Sequence, residues 1–153
     1  MSAPIFIRPF RLQDFPRLLE IEDACFGEDG YDRKLFAGFY RKRGCPFIVA
    51  LEAGKVCGYM LTCIGGRSAR YRAEIISIAV APEHRGKGIS KILMDATIRR
   101  VRRQGVIRLN LMVKVTNAPA IALYEKYGFE LGRIWRQYYE DGTDGRRMSK
   151  FWR

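Results

Sequence analysis

The chain is 153 residues long, with 28 Lys and Arg against 16 Asp and Glu and a formal net charge of +12. That length suits one domain, residues 1–153, built on a single core. No apolar run reaches the roughly 18 residues of a membrane span, and MSAPIFIRPFRLQDF lacks the long apolar core of a secretory signal.

Ile5 to Phe10 predicts a first strand. Asp14 then introduces an amphipathic helix with Phe15, Leu18, Leu19 and Ile21 toward the core and Glu20, Glu22 and Asp23 outside. Cys25 to Tyr31 is a glycine-punctuated loop, and a second short helix over Asp32 to Lys42 presents Leu35, Phe36 and Phe39. Phe47 to Leu51 and Val56 to Cys63 are apolar runs joined through Glu52 to Lys55, the pattern of a hairpin. Gly65 to Ser68 form the next turn, leading into a strand over Tyr71 to Val80. Pro82, which has no N–H for a sheet ladder, ends that strand.

Arg85-Gly86-Lys87-Gly88-Ile89-Ser90 follows, and a helix begins inside it with Ile89, Ile92, Leu93 and Ala96 at helical spacing. Met94, Ile98 and Val101 form a second apolar stripe, and Gly105 closes the helix. Val106 to Val115 is a further strand. Asn117 caps a helix over Ala118 to Tyr127, which Gly128 ends. Phe129 to Tyr139 and Arg147 to Trp152 read as strands on either side of Glu140 to Gly145. The order β-α-α-β-β-β-α-β-α-β-β describes an α/β (α+β) fold with a mostly antiparallel mixed sheet flanked by helices. Residues 74–115 supply its parallel, right-handed crossover.

The positive charge favours anionic partners, whether nucleic acid, ribosome, acidic peptide or phosphorylated cofactor. Arg99-Arg100-Val101-Arg102-Arg103 is the densest patch, either a solvated helix end or a nucleic-acid surface. No zinc-finger, homeodomain or RNP signature accompanies it. Cys25, Cys45, Cys57 and Cys63 show no CxxC spacing, and the single His84 does not complete a usual zinc set, so no metal is expected. The cysteines read as free, partly buried thiols of a reducing cytoplasm.

The glycine-rich turn running into a helix offers unpaired N–H groups and the positive end of the helix dipole. With Arg85, Lys87 and Lys91 around it, the turn suits a pyrophosphate. The alternative is a tight strand-to-helix connection needing glycine for its dihedrals. It is neither GxxxxGK[ST] nor GxGxxG.

Val80 to Ser90 resembles the acetyl-CoA signature [QR]-x-x-G-x-[GA] of the GNAT N-acetyltransferases, with Ser90 in the place usually held by Gly or Ala. Asn117-Ala118-Pro119-Ala120-Ile121-Ala122-Leu123-Tyr124-Glu125-Lys126-Tyr127-Gly128-Phe129 resembles the family's second signature, N-x-x-A-x-x-L-Y-x-x-x-G-F. The resemblance implies the GNAT fold and acetyl-CoA as cosubstrate. It places Ile78, Ala79 and Val80 beside the pantetheine arm. It also places Arg85, Gly86, Lys87, Gly88, Ile89, Ser90 and Lys91 at the pyrophosphate, and Asn117 against the cofactor arm. Tyr124 matches the general acid, since thioester aminolysis expels a thiolate that a phenol can protonate; a backbone N–H near Val80 would hold the oxyanion.

The base is less direct. In the bacterial ribosomal-protein alanine acetyltransferases a Glu precedes the Asn helix, and here that place is Met112, which takes no proton. Glu74 resembles the catalytic Glu of histone-type relatives, and alternation sets it on one face with Ile76 and Ile78 unless a bulge intervenes. Pairing with Arg70 or Arg72 is its alternative role, with Glu22 or a water chain as other bases. Tyr138 and Tyr139, with Phe26 and Tyr31 on the earlier loop, resemble the peptide slot of protein N-terminal acetyltransferases; otherwise the tyrosine pair merely finishes an aromatic strand. The expected substrate is therefore a protein N-terminal amine, with ribosomal proteins among the candidates, bound by a cytoplasmic monomer or homodimer. The alternatives are a small amine such as a polyamine or aminoglycoside, a lysine side chain, or a non-catalytic module that binds RNA or the ribosome.

Overall fold

The computed structural model describes residues 3–65 and 71–152. Among them, the elements follow the predicted order: β1 (Ile5–Pro9), α1 (Phe15–Phe26), α2 (Arg33–Arg41), β2 (Phe47–Glu52), β3 (Lys55–Gly65), β4 (Arg72–Val80), α3 (Ile89–Arg103), β5 (Arg108–Lys114), α4 (Ala118–Lys126), β6 (Glu130–Trp135) and β7 (Gly145–Phe151). The seven strands form one sheet in the order β1-β2-β3-β4-β5-β7-β6. All neighbours are antiparallel except β4 and β5.

Two cores sandwich the sheet. Phe15, Leu18 and Ile21 of α1 and Phe36 of α2 pack with Phe47, Val49, Tyr59 and Leu61 on one face. On the other, Ile89, Leu93, Met94 and Val101 of α3 pack with Met60, Ile75, Leu109, Leu111 and Tyr124. Local chemistry sets the ends of these elements. Asp32 accepts the Leu35 N–H at 2.9 Å and caps α2. Ala53 and Gly54 both take positive φ in the β2–β3 turn, the backbone that a two-residue hairpin requires.

Two bulges overturn expectations. Along β3, Ala50 pairs with Gly58 but Leu51 pairs with Val56, so Cys57 is an extra residue. That slip carries the ladder past β2, where Thr62 and Ile64 donate to the carbonyls of Pro46 and Gly44. Cys45 therefore stands opposite Cys63, and the two form a disulfide, correcting the expectation of four free thiols; Cys25 and Cys57 are free. Along β4, Leu61 pairs with Ser77 and Thr62 with Ile75, leaving Ile76 as the extra residue. Ile76 joins the α1–α2 core while Ile78 joins the α3 core, so Glu74 does not share a face with Ile78.

Two further expectations change. Glu22 is not on the outer face of α1 but 3% exposed, one residue after buried Ile21. β6 stops at Trp135, so Tyr138 and Tyr139 lie beyond the strand, after Gln137 with its φ of 50°. The expected turn at Gly65–Ser68 lies outside the described residues except for Gly65, which ends β3.

Candidate active site

β4 and β5 pair only through Arg72–Arg108, Ala73–Leu109 and Glu74–Asn110. Beyond Glu74 the strands part, leaving the rest of β4 bonded to β3 alone and the rest of β5 to β7 alone. The result is a wedge with Glu74 at its apex and with the backbone along Ile78, Ala79 and Val80 lacking a strand partner on the side facing β5. The Val80 carbonyl accepts the Arg85 Nε–H at 3.3 Å and the Cys25 thiol at 3.4 Å.

At the wide end, Gly86 and Gly88 take φ of 80° and 77°, and a Cβ on either would meet nothing within 4 Å. Open space borders a turn whose following N–H groups, at Ile89, Ser90 and Lys91, belong to the first turn of α3 and have no partner within the helix. The shape fits an anionic group held by main-chain donors. The side chains are differently disposed from the expectation. Arg85 turns back to Val80 and Cys25, while Lys87 Nζ lies 2.7 Å from Glu52 Oε1, which also takes His84 Nδ1 at 2.7 Å. Lys91 is exposed. Asn117 accepts the Ala120 N–H at 3.3 Å, so its helix-cap role is present.

The α1–α2 side of the wedge carries the remaining candidates. Glu74 is partly exposed, 3.8 Å from Arg147 rather than paired with Arg72; Arg70 lies outside the described residues. Burial pushes its carboxyl above the usual range, against the pull of Arg147 and Arg108. Glu22 accepts the hydroxyl proton of Tyr59 and, at 2.9 Å, the Tyr31 N–H; burial raises its pKa as well. Because Tyr59 donates to Glu22, the 2.6 Å contact with Ser77 has the serine hydroxyl donating to Tyr59.

Tyr31, Tyr138 and Tyr139 converge here. Tyr138 and Tyr139 meet edge to face at 5.0 Å, and charge on Tyr138, Glu22 or Glu74 would oppose ionisation of Tyr31. Tyr139, half-buried and pushed up to about 12 mainly by burial, is influenced by Tyr31, Tyr138 and Tyr124 together. Tyr124 is 8% exposed, rests edge-on against Phe129 at 5.8 Å, and is pushed up to about 12 by burial alone. Phe26, the last residue of α1, is exposed. Met112 faces the same region: a Cβ at Gly145 would stand 2.9 Å from its Cε and 3.1 Å from Tyr138 Cβ. A methyl group there would need the Met112 thioether end to shift and Tyr138 to give by a few tenths of an ångström.

Reasoning from the sequence missed Tyr59, Ser77, Lys114 and Arg147. A charge at position 22 on the buried side of an amphipathic helix, four residues after Leu18, was the available signal for a polar network; nothing local marked the other four.

The geometry has counterparts among known proteins. The chain is 29% identical over 153 residues to the N-alpha-acetyltransferase of Saccharolobus solfataricus, covering 94% of this chain and 91% of that one. It is 32% identical over 133 residues to the [ribosomal protein bS18]-alanine N-acetyltransferase of Escherichia coli K12, covering 87% and 85%. Its fold matches the crystal structure of Ard1 from Thermoplasma volcanium with a TM-score of 0.86 at 28% identity, covering 96% and 97%. The profile of the acetyltransferase (GNAT) family matches residues 15–129, and the wedge, the glycine turn and both signatures fall within that span, so the chain belongs to the GNAT acetyltransferases.

Proposed function

We propose that this enzyme transfers the acetyl group of acetyl-CoA to the α-amine at the N terminus of a protein. The observation that carries this reading is the convergence of Tyr31, Tyr138 and Tyr139 near Glu74, at the apex of the wedge, which would give a peptide a slot beside the carboxylate. Tyrosines give a peptide apolar contact area and hydroxyls for its backbone. The relatives named N-alpha-acetyltransferase and [ribosomal protein bS18]-alanine N-acetyltransferase support the same reading, and ribosomal proteins are among the substrates to try.

The unpaired backbone of β4 and the main-chain donors around Gly88 would hold the cosubstrate. Acetyl-CoA, when bound, supplies an activated acetyl carbon and a thiolate leaving group. Glu74 receives the ammonium proton of the substrate, directly or through water, freeing the nitrogen to attack the acetyl carbon. Burial raises the Glu74 pKa toward neutrality and makes it a better base than an exposed carboxylate. Met112 contributes apolar floor, and Glu22 is occupied by Tyr59 and Tyr31. The N–H groups at the end of β4 stabilise the oxyanion. As the C–S bond breaks, Tyr124 protonates the departing sulfur; its raised pKa keeps the hydroxyl protonated throughout the physiological range.

An α-amine, with an unperturbed pKa near 8, is a substantial minority neutral at physiological pH, whereas a lysine amine near 10.4 is on the order of a hundredfold less so. A partly exposed carboxylate therefore suffices for the former. Mass spectrometry of an N-terminal peptide panel incubated with acetyl-CoA tests the reading. Modification at the α-amine is expected, and acetylation confined to lysine side chains would overturn it.

A further inference from the structure

Lys114 closes β5, where that strand no longer has β4 beside it. Alternation sets its side chain on the same face as Met112, toward the tyrosine slot. Its Nζ lies 2.8 Å from Asp29 Oδ2 and 2.8 Å from Asp141 Oδ2, and 5.3 Å from the centre of the Tyr139 ring. Asp29 belongs to the turn between α1 and α2, which ends at Tyr31; Asp141 follows directly on Tyr138-Tyr139-Glu140. One ammonium group thus joins the two loops that carry the opposite walls of the slot.

Each loop is also fastened at its other end. Glu22 accepts the Tyr31 N–H, and a Cβ at Gly30 would stand 2.9 Å from Glu22 Cγ, so the first loop is pressed against α1. In the second loop, Asp144 accepts the Gln137 N–H, and Asp141 accepts the Thr143 N–H through its remaining oxygen, both at 2.9 Å. What joins one loop to the other is Lys114. A compact ammonium with three donors is suited to bridging two carboxylates, and ion pairs of this partial exposure hold loosely enough to part and re-form.

We propose that Lys114 is a positioning residue for the peptide: it sets the separation of the tyrosine walls and so the fit of the substrate's first residues. This rests on the N-terminal reading for its substrate, though the joining of the loops does not. In Lys114→Met the peptide KM should rise about tenfold, with kcat changed less than about threefold and the acetyl-CoA KM unchanged, while Lys114→Arg restores the peptide KM to within about threefold. Asp29→Asn and Asp141→Asn should each give part of the effect and add nothing in the Lys114→Met background.

Hydrogen exchange supplies a readout free of substrate. Amides in residues 27–32 and 138–144 should exchange faster together in Lys114→Met, with those of α3 unaltered. An unchanged peptide KM in the methionine variant, or faster exchange in one loop alone, overturns the proposal. If wild-type protein acetylates no peptide, the functional reading fails, and exchange in the two loops still decides whether Lys114 joins them.

Discussion

At the glycine end of the cleft, the surface we propose for the cosubstrate comes from seven consecutive residues, Arg85 to Lys91, and consists of main-chain N–H groups and open space above Gly86 and Gly88. At the tyrosine end, the surface comes from side chains of α1, the turn before α2, β4, β5, β7 and the loop between β6 and β7. The first surface needs only a local conformation that two glycines permit. The second exists only when elements more than a hundred residues apart are folded, since Lys114 joins Asp29 to Asp141. Damage should therefore stay local at the glycine end and spread at the tyrosine end.

The sharpest test sits between the two ends. Tyr124→Phe removes the proposed proton donor and keeps the ring, so kcat should fall by about 10²- to 10³-fold while acetyl-CoA affinity, read by calorimetry, is kept. Glu74→Gln comes next, lowering kcat/KM by roughly ten- to a hundredfold. Its signature is the pH profile. Wild-type activity should rise with pH as Glu74 loses its proton, with a midpoint above the usual carboxylate range because burial raises that pKa. The glutamine variant should lack this limb and retain the one due to the substrate amine.

Gly88→Ala probes the other end. The open space tolerates a methyl group, but φ of 77° does not suit it, and a cost of about 1 kcal/mol should weaken acetyl-CoA binding several-fold and leave the peptide KM alone. Glu52→Gln should act least. It loosens Lys87 and His84 beneath the turn and should change the acetyl-CoA KM by about twofold. The sign in pH follows from its lowered pKa, caused first by Lys87 and then by His84. The charged pair persists above that pKa, and wild type and variant should converge as pH falls through it. A change in peptide KM on either substitution would erase the contrast between the two ends.

That contrast also explains what could be read in advance. Element order, the capping by Asn117 and the positive-φ turn at Gly86 and Gly88 follow from neighbours in the chain, and these were legible. The face on which Glu74 lies was not, because one extra residue at Ile76 breaks the alternation from which it was inferred. The disulfide escaped for the same reason: a plain two-residue turn would set Cys45 opposite Thr62, and only the bulge at Cys57 slides it to Cys63. The network of Glu22, Tyr59 and Ser77 joins three elements whose spacing carries no local mark. Tyr138 and Tyr139 were legible as loop residues only through the family resemblance, since by their aromatic character alone they read as the end of a strand that in fact stops at Trp135.

The extra residue in β4 has one more implication. It lets a single strand turn Glu74, Ile76, Ser77 and Ala79 toward one layer of helices and Ile75, Ile78 and Val80 toward the other, so that the polar side chains share one face while the other face is wholly apolar. Removing Ile76 would leave Glu74 and Ile78 three residues apart, so plain alternation would keep the carboxylate and the α3 contact on their present faces, and only the packing of Ile76 against the α1–α2 layer would be lost.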